Sequence, residues 1–483
     1  MLKIVHFFIL LCFLSGCTLI APSQPKKHHD LLLSGANIID VETGNIISNG
    51  IIAIDDDTIS FVGTQDRKQY HSAVKEINID GRYVIPGLWD MHVHIEGADL
   101  IEDNKALFSL YLAYGITTVR DAASDLGEQV LKWRDEIQQG KLEGPQIFTA
   151  GRKLEGIDSL WKGDLEIGTE QELHKMLDLL EKYKVDFVKV TDNTLAGPLF
   201  LKSVKAAKDR GFKVSSHVPY DLSIEELAQA GLSSIEHAAF VLRLGSDEVK
   251  VAEQIEAGNL TKKQAQQDYL LNFDQERAIK AYKELARTGI AISPTLIGGK
   301  QLAFLDENDH KDDAFLAYLT ERFISNYQWR IDRMANDTQV QIQQRKDKYK
   351  LIEKQLPYLQ QAGIMLLAGS DSAALNTYVY PALGLHEELI LYQDAGLTPL
   401  EILQTATING AKFMEKLDVL ATIKSGKNAD LVILNTNPLK DIKATQDIYS
   451  VINNGTYYDR NKLNAILEQV KQTRIELDEQ RRN

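Results

Sequence analysis

Eight short β-prone runs, around Val84, Thr118, Ile147, Val188, Val214, Ile235, Ile292 and Leu366, alternate with helix-prone stretches through the middle of the chain. Parallel neighbours need a long crossover, which a helix supplies, so the alternation predicts an α/β fold: a (β/α)8 barrel of the TIM type over residues 84–424. The 483 residues leave room for such a barrel and a second unit. Residues 31–83 alternate β-rich runs with turn signals such as Ser48-Asn49-Gly50 and predict an antiparallel sheet, and residues 425–460 look similar. Two stretches near 242–285 and 301–360 exceed ordinary β/α connections. Both are charged and helix-prone, as surface elaborations or as covers over the barrel mouth. Residues 461–483 read as a polar surface helix with an Ile466, Val470, Ile475 stripe.

The ends of these runs carry metal-ligand residue types. Leu88 to His94 ends in His92-Val93-His94, and at strand period two both imidazoles face the same way, which suits zinc or a similar divalent ion. Alone, such a pair equally fits two partly exposed histidines. Lys189 sits inside Val188-Lys189-Val190, and a lysine within a buried strand requires a partner, such as Asp192 or Asp121, or a chemical modification. His217 and His237 each end a β-rich run, and Asp371 stops the apolar run Ile364 to Gly369, as a cleft carboxylate or as a helix N-cap. Barrel enzymes place their chemistry at the carboxyl ends of the strands, where all six residues fall.

The order H-x-H, Lys, His, His, Asp resembles the amidohydrolase superfamily, most closely its branch of imidazolonepropionase-like and metal-dependent Xaa-Pro dipeptidase-like enzymes. Further stretches carry the likeness: Gly115 to Asp121, Ser234-Ile235-Glu236-His237, Ala395 to Pro399, Ala406 to Ala411 and Gly426 to Val432. The resemblance implies that the N- and C-terminal segments join as one small β-sandwich beside the barrel. It implies one or two ions per chain: two, held by His92, His94 and Asp371 and by His217 and His237 if Lys189 is carbamylated into a bridging anion, or one, held by His92, His94, the fifth-strand His217 and Asp371. It also implies hydrolysis of an amide or cyclic amide C–N bond in a small molecule by metal-activated hydroxide, with Asp371 as general acid and base and a dipeptide or N-modified amino acid as the first expectation. Lactone or organophosphate ester hydrolysis is the alternative within this chemistry, and a non-catalytic binding protein the alternative outside it. Dipeptidase-like members often carry tyrosine two positions after the fifth-strand histidine. Here Pro219 stands there and Tyr220 follows, as a candidate substrate contact or a structural residue. Arg152 and Lys153 follow the third run and read as surface charge before substrate contacts, and His386 reads as a packing residue. His28, His29, His71, His174 and His310 have no ligand-like context.

Composition narrows the partners. Lys and Arg number 54 against 68 Asp and Glu, a formal charge of −14, which argues against a nucleic-acid surface and leaves oligomeric state open. Lys3, the apolar stretch Ile4 to Leu14 and Leu14-Ser15-Gly16-Cys17 resemble a bacterial lipoprotein signal, with residues 1–16 removed, Cys17 acylated and residues 17–30 a tether. Acyl chains contribute about 0.8 kcal/mol per buried CH₂, so several on one cysteine hold a protein at a membrane. Thr18 after the cysteine favours the outer membrane by the same resemblance, placing the catalytic domain in the cell envelope outside the cytoplasm. The other cysteine, Cys12, falls in the discarded segment, which leaves no disulfide.

Overall fold

A computed structural model describes residues 26–483. The signal segment and Cys17 lie outside the described residues. Five strands come first: β1 (Lys27–Ile39), β2 (Ile46–Asp55), β3 (Thr58–Thr64), β4 (His71–Asn78) and β5 (Tyr83–Pro86). β1 therefore begins inside the stretch read as a tether. It is apolar without alternation over Leu31-Leu32-Leu33 because both its faces are covered: Leu31 and Leu33 pack with Ile52 and Ile54, Leu32 with Ile51 and Ala53. Irregularities at Ser34/Ala36 and Ala36/Ile38 let this one strand change neighbours along its length. It pairs with β4 over its first half and with β5 over its second, both in parallel, where the turn signals predicted an antiparallel sheet throughout. Register in a sheet is settled by which apolar faces meet, and turn residues alone do not report it.

The pairing of β1 with β4 also brings together two histidines that the sequence left without a role. His29 Nε2 lies 2.9 Å from His71 Nδ1, and His29 Nδ1 lies 3.0 Å from Asp55 Oδ2, with both rings buried. Burial holds His71 below its ordinary 6.5, and the neighbouring charges of His29 and Lys27 push the same way. A base whose folded pKa is depressed leaves stability intact above the unfolded value and withdraws it as pH falls below that value. The melting temperature of the wild type is therefore expected to drop more steeply between about pH 7 and about pH 5 than that of His71→Gln, which has no proton to gain there. Parallel pH curves for the two proteins would remove the effect.

The barrel strands are β6 (Leu88–Val93), β7 (Ile116–Asp121), β8 (Gln146–Thr149), β9 (Leu154–Gly156), β10 (Leu165–Ile167), β11 (Val188–Val190), β12 (Val214–Ser216), β13 (Ser234–Glu236) and β14 (Ala291–Ser293). The first barrel strand is thus not the run around Val84, which belongs to β5 in the outer sheet. Gly87 divides the two: a Cβ there would meet Thr117 Oγ1 at 2.0 Å, so only glycine lets the chain pass from one sheet to the other against β7. Parallel pairing orders β6-β7-β8 and β10-β9-β11-β12-β13-β14. The run around Leu366 has no regular ladder and nonetheless takes the place next to β14. Ile292 N bonds Met365 O at 3.0 Å and Leu367 N bonds Ile292 O at 2.9 Å, while Met91 N bonds Ala368 O at 2.7 Å and Asp371 N bonds His92 O at 2.7 Å. This segment consequently joins the second sheet to β6.

The chain then returns to the outer sheet through β15 (Leu431–Leu434), β16 (Ile448–Asn453) and β17 (Thr456–Tyr458). Antiparallel pairing of β15 with β5 makes the terminal segments one continuous sheet, ordered β17-β16-β15-β5-β1-β2-β3 with β4 also on β1. The final helix, Arg460–Arg482, buries Leu463, Ile466 and Val470 against the helix Ile101–Ala113, but Ile475 is 41% exposed, so the apolar stripe ends earlier than its periodicity predicts. Its last turns make polar contacts instead. Asp478 accepts from Glu321 N at 2.9 Å, tying the helix to the second insertion.

Both insertions are helical. The first contains the helices Glu248–Glu256 and Lys262–Leu271, and the helix Gln275–Thr288 after them is the ordinary connection into β14. The second contains Glu321–Ser325, Gln328–Met334 and Gln339–Gln361. Trp329 of this insertion meets Trp161, in the loop between β9 and β10, edge to face at 5.4 Å between ring centres. That contact carries the second insertion across the carboxyl ends of the strands.

Candidate active site

His92 and His94, at the end of β6, face Asp371 at the end of the eighth run. His92 Nε2 and His94 Nε2 lie 3.3 and 3.2 Å from Asp371 Oδ1, and 3.3 Å from each other. The other ring nitrogens are engaged: Nδ1 of His92 with Glu236 Oε2 at 2.6 Å, and Nδ1 of His94 with the Ala123 carbonyl at 2.8 Å. A carbonyl and a carboxylate only accept, so both Nδ1 atoms carry hydrogens and each Nε2 presents a lone pair when its ring is neutral. Burial keeps His92 neutral, whereas for His94 burial is outweighed by the hydrogen bond and charge of Asp371, which raise it, so two imidazole nitrogens and a carboxylate oxygen converge on one point. A shared proton or a cation satisfies them, and the N, N, O set suits zinc or a similar divalent ion. Gly369 permits the approach, since a Cβ there would meet Ser293 Oγ at 2.5 Å and the His92 Cβ at 2.6 Å. Asp371 has φ +59° and His237 φ +74°, left-handed backbone that non-glycine residues adopt at a cost and that recurs at functional sites.

Beneath His92 lies a buried charge network whose members the sequence reading left without roles. Arg120, on β7, donates from Nη2 to both oxygens of Glu236, each at 2.8 Å, from Nε to the Met91 carbonyl at 2.6 Å and from Nη1 to Ser215 Oγ at 2.9 Å. Burial pushes the Glu236 carboxyl up, but Arg120, then His92 and Lys189, outweigh it and keep it ionised. Burial takes His92 down to about 4, against the attraction of Glu236 and Asp371, so its neutral ligand form prevails. A carboxylate behind a ligating imidazole sets its tautomer and strengthens its basicity. Their signals lay in the sequence, an arginine within β7 and a glutamate within Ser234-Ile235-Glu236-His237, but nothing in it named them as partners.

Lys189, on β11, is 2% exposed and its Nζ has no hydrogen-bond partner among the described residues. Neither Asp121 nor Asp192 takes it: Asp121 accepts from Thr149 Oγ1, and Asp192 lies by His217 Nδ1 at 3.6 Å and Lys262. Burial lowers the Lys189 amine to about 8. His217 and His237 have ring centres 5.1 Å apart, and His237 Nδ1 lies 2.7 Å from Thr295 Oγ1. Asp371 is not a helix N-cap; its Oδ2 stands 4.0 Å from His237 Nδ1. His92, His94 and Asp371 thus meet at one point, the His237 and His217 rings follow at 5.1 Å between successive ring centres, and Lys189 lies near enough for its charge to act on His92, His217 and Asp371.

Other candidates fall elsewhere. Tyr220 stacks on Tyr269 at 6.1 Å with the Arg243 guanidinium over its ring, beside a small side cavity rather than the one holding Asp371. Arg152 pairs with Glu128. Lys153 pairs with Asp164 at 3.4 Å and lines a second cavity together with Glu96 and Leu375, from where its charge still acts on Lys189 and His217. His386 is fully buried between Thr445 Oγ1 at 3.0 Å and the Tyr114 carbonyl at 2.8 Å, and fastens the C-terminal segment to the barrel. The central cavity, about 400 Å³, is lined by His217, His237, Asp371 and Arg330, by the apolar Phe240, Leu302, Ile352 and Val379, and by the polar Asn376 and Thr377.

Comparison with known proteins agrees with this geometry. Residues 83–457 match the profile of the Amidohydrolase family. Among curated proteins, adenine deaminase 2 of Latilactobacillus sakei subsp. sakei (strain 23K) is 37% identical over 102 residues, 21% of this chain and 16% of that protein. The adenine deaminase of Paracoccus denitrificans (strain Pd 1222) is 30% identical over 112 residues, 22% of this chain and 18% of that protein, so these relatives are matched over a small part of their length. A solved Xaa-Pro dipeptidase with methionine bound in its active site superposes with TM-score 0.63 at 22% identity, covering 89% of this chain and 99% of that one. The bottromycin amidohydrolase superposes with TM-score 0.68 at 18% identity over 92% and 90% of the two chains. The structural likenesses speak for the fold; the profile, which spans most of the chain and includes every ligand-type residue of the centre, shows that this protein belongs to the amidohydrolase family.

Proposed function

We propose that this protein is a metal-dependent hydrolase of amide C–N bonds in small molecules, with dipeptides and N-acyl amino acids as its substrates. The observation that carries the reading is the meeting of His92 Nε2, His94 Nε2 and Asp371 Oδ1 within 3.3 Å, with Asp371 also within electrostatic reach of the buried Lys189, whose Nζ has no hydrogen-bond partner among the described residues. A divalent ion bound there would acidify a water and polarise a substrate carbonyl. Asp371, with Oδ2 turned toward the cavity, accepts the proton of the attacking water and returns it to the leaving nitrogen. Thr295 orients His237 beside the same space, and Asp192 stands behind His217. With its amine lowered to about 8, Lys189 is neutral in a larger fraction of molecules than an exposed lysine. The neutral amine would add to carbon dioxide and lose a proton, and the resulting carbamate would supply an anion with which His217 and His237 could hold a second ion.

Elemental analysis of the chain from about Ser23 onward, prepared with bicarbonate and without chelator, tests this. About two equivalents of metal are expected, as in paired-metal hydrolases, falling to about one in Lys189→Ala. One equivalent indifferent to Lys189 would favour the single-metal arrangement, and none would favour a binding role. A substrate panel then compares dipeptides and N-acyl amino acids with lactones and with adenine, the last because of the local identity to adenine deaminases. The Leu14-Ser15-Gly16-Cys17 signal supports a location in the cell envelope through acylated Cys17.

A further inference from the structure

Other buried or half-buried arginines are paired with carboxylates: Arg120 with Glu236 at 2.8 Å, Arg243 with Glu248 at 3.1 Å and Arg134 with Asp186 at 3.1 Å. Arg330 is the exception. It comes from the helix Gln328–Met334 of the second insertion, is partly buried, and lines the cavity that holds Asp371, yet no carboxylate among the described residues lies within 4.0 Å of its guanidinium. Nε donates to the Leu375 carbonyl at 2.8 Å and Nη2 donates to Asn376 Oδ1. Nη1 makes no hydrogen bond among the described residues.

This clamp sets the distance to the reacting centre, because Asn376 Nδ2 in turn donates to the Asp371 carbonyl at 2.6 Å. A guanidinium keeps its charge in proteins, the Asp371 and Glu96 carboxylates attract this one only from beyond 4.0 Å, and its Nη1 is left open, so the site has room for an anion that arrives with the ligand. Besides the polar Asn376 and Thr377, the cavity that Arg330 and Asp371 share is lined by the apolar Phe240, Leu302, Ile352 and Val379. We infer that Arg330 anchors a free carboxylate of the substrate, which makes the substrate an N-acyl amino acid or a dipeptide with an apolar side chain and not a neutral or cyclic amide. The inference rests on the hydrolase reading above and specifies its substrate class. Arg330 thereby becomes the specificity-determining residue, supplied by an insertion that lies across the barrel mouth.

The test uses a probe that cannot be cleaved: the ketomethylene analogue of N-benzoyl-leucine, in which CH₂ replaces the amide nitrogen, and the primary amide of the same acid. Titration calorimetry on the metal-loaded protein is expected to show the acid bound about 10- to 100-fold tighter than the amide. In Arg330→Met the preference is expected to vanish, with metal content and near-ultraviolet circular dichroism unchanged, and Arg330→Lys is expected to keep part of it. Equal weakening of acid and amide in Arg330→Met would overturn the inference and leave Arg330 as a brace for the Asp371 loop. Binding of neither probe to the wild type would also overturn it. Turnover separates the two readings: hydrolysis of N-benzoylisopentylamine as fast as N-benzoyl-leucine overturns the carboxylate anchor and leaves the amide hydrolase standing. Preferential acid binding through Arg330 without turnover of either amide supports the anchor and overturns the hydrolase.

Discussion

Asp371→Asn is expected to lower turnover of a hydrolysed N-acyl amino acid by about 10³-fold or more, because the amide neither accepts nor returns a proton at neutral pH. The substitution is nearly isosteric, and the backbone that holds this residue is independent of its side chain: Asp371 N bonds His92 O at 2.7 Å and Asn376 Nδ2 holds the Asp371 carbonyl. The fold should survive, as read by circular dichroism and the melting transition. Metal affinity should weaken, since one of three converging donors changes, so kinetics are compared at saturating zinc with metal content measured in the same samples. Turnover that fell only in proportion to metal content would reduce Asp371 to a ligand. Hydrolysis like that of the wild type would end the mechanism.

Arg120→Met carries the largest expected effect on stability. The side chain is fully buried and makes bonds to Glu236, Met91 and Ser215, so its removal strands the Glu236 carboxylate in the barrel interior. Breaking a buried pair by removing one partner costs about 3–5 kcal/mol, which urea unfolding would read as a lowered midpoint at unchanged slope. Glu236→Gln removes the anion behind His92 Nδ1 and is expected to weaken metal binding about 10- to 100-fold, the usual effect of losing a partner of a ligating imidazole. The double variant Arg120→Met with Glu236→Gln separates the two roles. It should recover much of the stability, because no buried charge is left unpaired, and none of the metal affinity, because His92 has still lost its carboxylate. A loss below about 1 kcal/mol in Arg120→Met would mean that Glu236 finds another partner.

The candidate centre was legible where chemistry and local periodicity coincide. His92 and His94 were found because period two puts alternate residues on one face, and Lys189 because a lysine in a β-branched run contradicts burial unless it has a task. The alternation of short β runs with helices likewise determined a parallel α/β fold, and the charge-poor runs Ile364 to Ala368 and Leu431 to Leu434 marked buried segments at sheet positions, the first held by single bonds to its neighbours and the second a regular strand. What the chain order could not say is which distant groups meet. Val84 was assigned to the barrel because an apolar run continues through it, whereas the space beside Thr117 at Gly87 splits that run between two sheets. Tyr220 sits near the centre in sequence and turns away from it in space. Arg120 with Glu236, His29 with His71, and Arg330 with the Asp371 loop each pair residues far apart along the chain. Residue type and spacing along a strand are local properties and survive in a string of letters. The partner of a buried charge is decided by three-dimensional packing, because its desolvation is offset only by a group that the closed fold brings within hydrogen-bonding reach, and that choice exists only once the barrel is formed.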